Sequence, residues 1–257
     1  VTELKLGKLP AKPRSTDLMF AHYRDSASLS HPSRFGHYDI IPRDGWGMLG
    51  NDRYGDCVWA GAAHETMLWN KEAGRTVTFD DKSVLSDYAA CTGFDPVTGA
   101  NDNGTDVHNA LSYRRHTGIV DASGKRHKIG AYVAIEPGNY EHLLDALYLF
   151  SAVGIGFEFP DYAIDEFNAG KPWTYRKGGT IEGGHYVCLV GKPNSLYIDP
   201  VSWAHLTGMT KRFFEHYCDE AYGILSTEML NAQGVTLEGF NLAQLQDDIK
   251  QLGTPNQ

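Results

Sequence analysis

The chain has 257 residues and a formal net charge of −9, with 42% hydrophobic and 21% charged residues. Those shares suit a folded globular protein of one large domain or two lobes, and argue against wholesale disorder. Lys and Arg gather into no run, so the basic stripe that would meet nucleic-acid phosphates or an anionic membrane surface is missing. The longest apolar stretch, residues 146–159, is broken by glycines, Ser151 and Glu158 and is too short to span a bilayer. Four cysteines, Cys57, Cys91, Cys188 and Cys218, form no C-x-x-C pair. A secreted disulfide scaffold is usually smaller and denser in cysteine, so Cys91, Cys188 and Cys218 read as reduced, mostly buried thiols.

Residues 1–35 read as an extended arm, because Pro10, Pro13 and Pro32 interrupt any periodicity. The Gly-rich turn GMLGNDRYGD then leads into a helix from 57 to about 71, with Gly74 just past its end. A second short helix is expected over 80–88 with Asp80 or Asp81 as cap, and a third over 106–116, closed by Gly118. From Lys128 the pattern changes: KIGAYVAI reads as a strand, NYEHLLDALYLFSA as a helix and VGIGFEF as a buried strand. HYVCLVGK, SLYIDP and AYGILS are three further strand-like runs bounded by Gly, Pro and Asn. Helices in the first half and strands in the second predict an α+β fold without alternating βαβ units. In the tail 231–257, Leu242, Leu245, Ile249 and Leu252 form an apolar stripe between a capping Asn241 and a terminating Gly253. The stripe predicts a helix packed on its own domain, with partner binding as the minority reading.

Cys57 sits where a Gly-rich loop ends and a helix begins. The free N–H groups and dipole there favour a thiolate, the form in which cysteine is a nucleophile. An imidazole completes such a pair, and His185 in GGHYVCLVG is the best candidate, on a rigid apolar strand with glycines beside it. Asp199 ends the next strand, across a hairpin turning at Pro193-Asn194, and is the expected group to fix the ring's tautomer.

These residues resemble the papain-like cysteine peptidases, in order, over roughly residues 38 to 226. Asn51 lies six residues before Cys57, where the family has a Gln that donates to the oxyanion. WAGAAHETMLWN, FDDKSVLSDYAAC and NGTDVHNALSYRRHTGIV resemble the family's first helix, second helix, and Gly-rich substrate loop with third helix. Cys57 to His185 is 185 − 57 = 128 residues and Cys57 to Asp199 is 142, near the family expectation of roughly 130–150. Departures are Tyr54 three residues before the nucleophile and Val58 directly after it, where the family has a cysteine and an aromatic. Cys91 thus lacks the family's disulfide partner. Asp199 stands where papain has Asn, with Pro200-Val201 separating it from Ser202-Trp203, and Asp56 beside the thiol would oppose a thiolate unless it points away.

The resemblance implies a two-lobed fold over 36–230, a helical left lobe facing an antiparallel β-barrel-like right lobe, with the arm and the C-terminal helix added. It implies a cysteine hydrolase cleaving amide bonds in a peptide or protein substrate, needing no cofactor. Cys57, His185 and Asp199 would be catalytic, Asn51 the oxyanion donor, and Gly104, Gly184 and Trp203 would line the substrate. No inhibitory propeptide of the family's usual length is expected ahead of the domain.

KLGKLPAKP with GMLGNDRYGDCVWAGAAHE further resembles papain-like proteins of actinobacterial phages and prophages. That likeness implies a peptidoglycan-peptide substrate, or a virion structural or decoration role with phage structural proteins as partners. The polar opening of the chain lacks a hydrophobic secretory core, which is compatible with bacterial cytoplasm or a virion. Metal readings are poor: His185 and Cys188, three apart on a strand, point to opposite faces, and the HExxH-like stretch at His64 has Leu68 in place of the second His, leaving His64 as a helix-surface residue. The loop DPVTGANDNGTD lacks EF-hand spacing.

Overall fold

The computed structural model describes residues 4–25, 29–229 and 240–252. Helix α1 (Cys57–Glu72) is buried continuously from Cys57 to Asn70. It is wedged between α2 (Asp81–Thr92) and α3 (Val107–His116) on one side and a β-sheet on the other. An enclosed helix has no solvent face to keep polar, and its polar residues are met inside the protein. Arg114 pairs with Glu65 at 2.7 Å, the Tyr186 hydroxyl donates to Glu65 at 2.9 Å, and Asn70 donates to Glu228 at 2.7 Å. His64, expected on the surface, is buried, with Nε2 at 3.1 Å and 3.2 Å from the Trp46 and Gly47 carbonyls. Burial pushes its imidazole down to about 4.

Helix α2 starts on a capping box, in which the Ser83 N–H donates to Asp80 and the Asp80 N–H to Ser83. It runs four residues past the expected stop, to Thr92, where Gly93 takes the left-handed conformation (φ 79°). Asp106 caps α3 by accepting from the Asn109 N–H.

The sheet contains β1 (Phe35–Gly36), β4 (Ile129–Ile135), β5 (Val153–Pro160), β6 (Ile181–Lys192), β7 (Tyr197–Ser202), β8 (His205–Leu206), β9 (Met209–Thr210) and β10 (Cys218–Ser226). Its order is β4-β10-β5-β6-β7-β8, antiparallel throughout, with β1 added to β6 and β9 to β7. Strands β2 (Ile119–Val120) and β3 (Arg126–His127) form a separate ribbon. Helix α1 crosses β6 so closely that a Cβ on Gly61 would meet the Tyr186 ring at 2.7 Å. Helix α4 (Tyr140–Phe150) also packs on the sheet. Two helices had no clear sequence signal: α5 (Asp161–Asn168) and α6 (Lys211–Tyr217). Each spans about two turns, too few for a helical period to stand out.

Helix α7 (Leu242–Leu252) forms as the stripe predicts, capped by Asn241, which accepts from the Gln244 N–H. Leu245 is fully buried and Tyr23 donates to Asp248 at 2.7 Å, so the helix packs against its own chain. Gly253 and the Leu252 side chain lie outside the described residues. Parts of the 1–35 arm lie against the domain: Leu4, Phe20 and Tyr23 are buried, and Phe35 pairs with Lys192 of β6. No helix among the described residues is long and apolar enough to cross a membrane.

Candidate active site

Cys57 is the first residue of α1 and is 1% exposed. The helix's own hydrogen bonds begin with the N–H groups of Trp59 and Ala60, both donated to Asp56, so the earlier amides of the turn are free for other acceptors. Helix α1 packs on β6, the strand that carries His185. Burial dominates the thiol and pushes it up to about 12. The neighbouring Asp56 is wholly buried, and burial raises its carboxyl well above the usual range despite the nearby Asn51 amide. Asp56 adds to the raising of the thiol, the opposition that its position beside Cys57 suggested.

His185 lies on β6 opposite Phe157. Its imidazole is stacked on Trp203, with centroids 4.3 Å apart and planes 15° from parallel, and it meets the edges of Phe157, Phe159 and Trp173. Nε2 lies 2.7 Å from the Ser202 hydroxyl, while Nδ1 is buried without a hydrogen-bond partner. This apolar box pushes the imidazole down to about 3. Trp203 and Ala204 take positive φ values of 43° and 66°, and this turn keeps the indole against the imidazole.

Asp199 is not brought to His185. It pairs with Gly191 across β6 and β7, and Gly191 lies 191 − 185 = 6 residues beyond His185, about 20 Å along a strand. The bulge between Leu189 and Gly191 and the pairing of Cys188 with Val201 set this register. Ser202 therefore reaches the imidazole in place of Asp199. Asp199 instead lines a separate groove with Tyr38, Arg43, Asn194 and His205, its carboxyl pushed up to about 6 by burial and opposed by Arg43. A hydroxyl beside the stacked tryptophan was the available sequence signal for Ser202, masked by the convention that the third group is Asp or Asn.

The other expected residues gather around an unanticipated occupant: the chain's own Leu4–Leu9 segment. Asn51 is buried and its Nδ2 donates to the Tyr54 carbonyl at 3.1 Å and to the Lys5 carbonyl at 3.4 Å. Trp203 Nε1 also donates to the Lys5 carbonyl, at 3.3 Å. The Gly184 carbonyl accepts from the N–H groups of Gly7 (3.1 Å) and Lys8 (2.9 Å). Thr105 pairs from the other side, donating to Gly7 at 2.7 Å and accepting from Leu9 at 3.0 Å. A Cβ on Gly104 would lie 2.3 Å from the Gly7 carbonyl, and one on Gly184 would lie 2.2 Å from the Lys8 carbonyl. Both glycines thus leave room for a backbone, as their sequence reading suggested for substrate.

No family model and no curated protein matches the chain. Solved structures do. Xylellain, a cysteine protease from Xylella fastidiosa, superposes with a TM-score of 0.65 at 15% identity, covering 88% of this chain and 97% of its own. Procathepsin L 3 of Tenebrio molitor larval midgut gives 0.58 at 14% identity, over 87% of this chain and 76% of its own. Procathepsin B S9 from Trypanosoma congolense gives 0.57 at 14% identity, over 85% and 87%.

The fold is papain-like.

In this papain-like frame α1 packs on β6, and residues 7–9 run between Gly184 and Thr105. Cys57 and His185 are both neutral, one raised and one lowered by the same loss of water.

Proposed function

We propose that the protein is a cysteine hydrolase that cleaves amide bonds in peptides or proteins, held latent by its own Leu4–Leu9 segment. Cys57 attacks the scissile carbonyl, and His185 takes the thiol proton and later delivers it to the leaving amine. Ser202 positions the imidazole, and Trp203 shields that contact from water. The Asn51 amide and the Cys57 backbone N–H stabilise the oxyanion.

The observation that supports this reading is the packing of α1, which begins at Cys57, on β6, the strand that carries His185 beside Ser202 and Trp203. Two elements far apart in sequence supply a nucleophile and a base to one groove, and the groove already accepts extended backbone on both rails. Withdrawal of Leu4–Leu9 would return water to the pair, lower the thiol's pKa and raise the imidazole's. The thiolate–imidazolium form would then lie within reach at neutral pH.

The test is alkylation of the full chain with iodoacetamide, followed by peptide mapping. Slow, selective labelling of Cys57, accelerated by mild urea below the unfolding transition, is expected together with cleavage of casein or of cell-wall peptides by the loosened protein. Labelling of all four cysteines at one common rate overturns the reading. Casein digestion compared with release of peptides from cell walls separates a general peptidase from a peptidoglycan-peptide hydrolase.

A further inference from the structure

Lys8 is an unusual residue to find inside a protein. Its Nζ is fully buried, 2.7 Å from Asp219 and 3.1 Å from Glu220, and it also donates to the Leu9 carbonyl at 2.9 Å. The recess that takes it is built for a long side chain. Gly156 forms its wall: a Cβ there would lie 2.5 Å from the Lys8 Cδ and 2.8 Å from the Glu220 Cγ. Tyr222 donates to Glu220 at 3.0 Å and holds that carboxylate in place. One oxygen of Asp219 remains buried and unpartnered. Burial alone would lower Lys8, but the two carboxylates outweigh it and keep the ammonium charged.

The recess lies beside the candidate site: the Lys8 N–H donates at 2.9 Å to the carbonyl of Gly184, the residue before His185. When the segment leaves, Glu220 is left in a nearly closed recess without a counter-charge, which is a costly state for a carboxylate. Water relieves part of that cost. A second cation on a flexible stem relieves it fully, and a neutral side chain of the same length does not.

We propose that the recess formed by Gly156, Asp219, Glu220 and Tyr222 selects a lysine or arginine side chain of the incoming peptide, with Lys8 occupying that place in the latent chain. This rests on the peptidase reading above. The recess is a recognition site for cationic side chains beside the candidate site.

The experiment uses the full chain carrying Lys8→Met, which removes the ammonium and keeps the stem. The rate of Cys57 alkylation by iodoacetamide is measured with added acetyl-KLGKLP-amide, and with the same peptide carrying norleucine at its second lysine. The lysine peptide is expected to protect Cys57 at concentrations at least tenfold lower. That preference is expected to vanish when Glu220→Gln or the more exposed Asp219→Asn is added. In parallel, a positional-scanning library of fluorogenic tetrapeptides is expected to be cleaved best with Lys or Arg at a single position. Equal protection by the two peptides, or cleavage with no basic preference, overturns the recess assignment and leaves the hydrolase intact. Failure of the peptidase reading looks different: no library member is cleaved, although the lysine peptide still protects Cys57. Thermal melting of each variant confirms a folded protein, and Asp219→Asn keeps the test decisive if Glu220→Gln does not fold.

Discussion

Cys57 and His185 on the one hand and the Lys8 ammonium on the other are all removed from water, yet they differ in charge state. Cys57 and His185 are driven neutral chiefly by their loss of water. Lys8 stays charged because two carboxylates meet it at 2.7 Å and 3.1 Å. Burial therefore does not decide ionisation by itself; burial set against available partners does.

The largest expected effect is at the nucleophile. Cys57→Ala should lower hydrolysis by about 10⁴-fold or more, since the group that forms the covalent intermediate is gone, and a fluorogenic peptide assay on the loosened protein reads it. If Cys57→Ala retains activity near that of the parent, the site lies elsewhere.

Next comes the anchor. Lys8→Met removes one partner of a buried ion pair, a change that costs up to about 3–5 kcal/mol when the remaining charges stay buried. Because the segment can lift and let water in, the measured loss in urea unfolding should fall at or below that range. Cys57 alkylation should accelerate by about tenfold or more. Unchanged stability together with unchanged alkylation would mean that Lys8 does not hold the segment.

The two regions should also respond to opposite ends of the pH scale. The folded His185 imidazole is pushed down to about 3 from its ordinary 6.5. Below pH 6.5 the unfolded chain binds a proton that the folded one refuses, so its stabilising contribution is complete above 6.5 and falls as pH drops toward 3. Lys8 is raised above 10.5, so its contribution is complete below 10.5 and is lost as pH rises through the raised value. Urea midpoints measured across pH should show His185→Leu flattening the acid limb and Lys8→Met flattening the alkaline one. An acid limb unaltered by His185→Leu would break the comparison.

The smallest effects separate Ser202 from Asp199. Ser202→Ala removes one hydrogen bond to the imidazole, worth about 0.5–1.5 kcal/mol. It should lower kcat more than it raises KM and shift the pH profile, with Ser202→Thr restoring most of the loss. Asp199→Asn should leave kcat within about twofold, because Asp199 lies about 20 Å of strand away from the imidazole. A large fall in kcat for Asp199→Asn would restore it to the site.

Much of the architecture was legible beforehand because local rules carried it. Asp80 and Asp106 cap where short polar side chains cap, Asn241 opens α7, and the Val- and Ile-rich runs became the central strands β5, β6 and β10. The spacing from Cys57 to His185 was legible because one chain order carries a helix start and a strand into contact. The helix α1 was harder: its mixed pattern suggested an exposed side, and only enclosure between α2, α3 and β6 made His64 and Glu65 interior residues.

By itself, then, the sequence determined a cysteine at a helix start, a histidine on an apolar strand and an amide six residues upstream, all through local pattern and spacing. Tertiary structure alone decided which side chain meets the imidazole, since the pairing of Cys188 with Val201 leaves Ser202 against it and Asp199 several residues along the strand. It also decided where the Lys8 side chain lies. A lysine in the KLGKLP stretch carries no signal until the chain, more than 200 residues later, folds Asp219 and Glu220 around its ammonium. Register and long-range charge pairing depend on pairs of residues, and a sequence displays them one at a time.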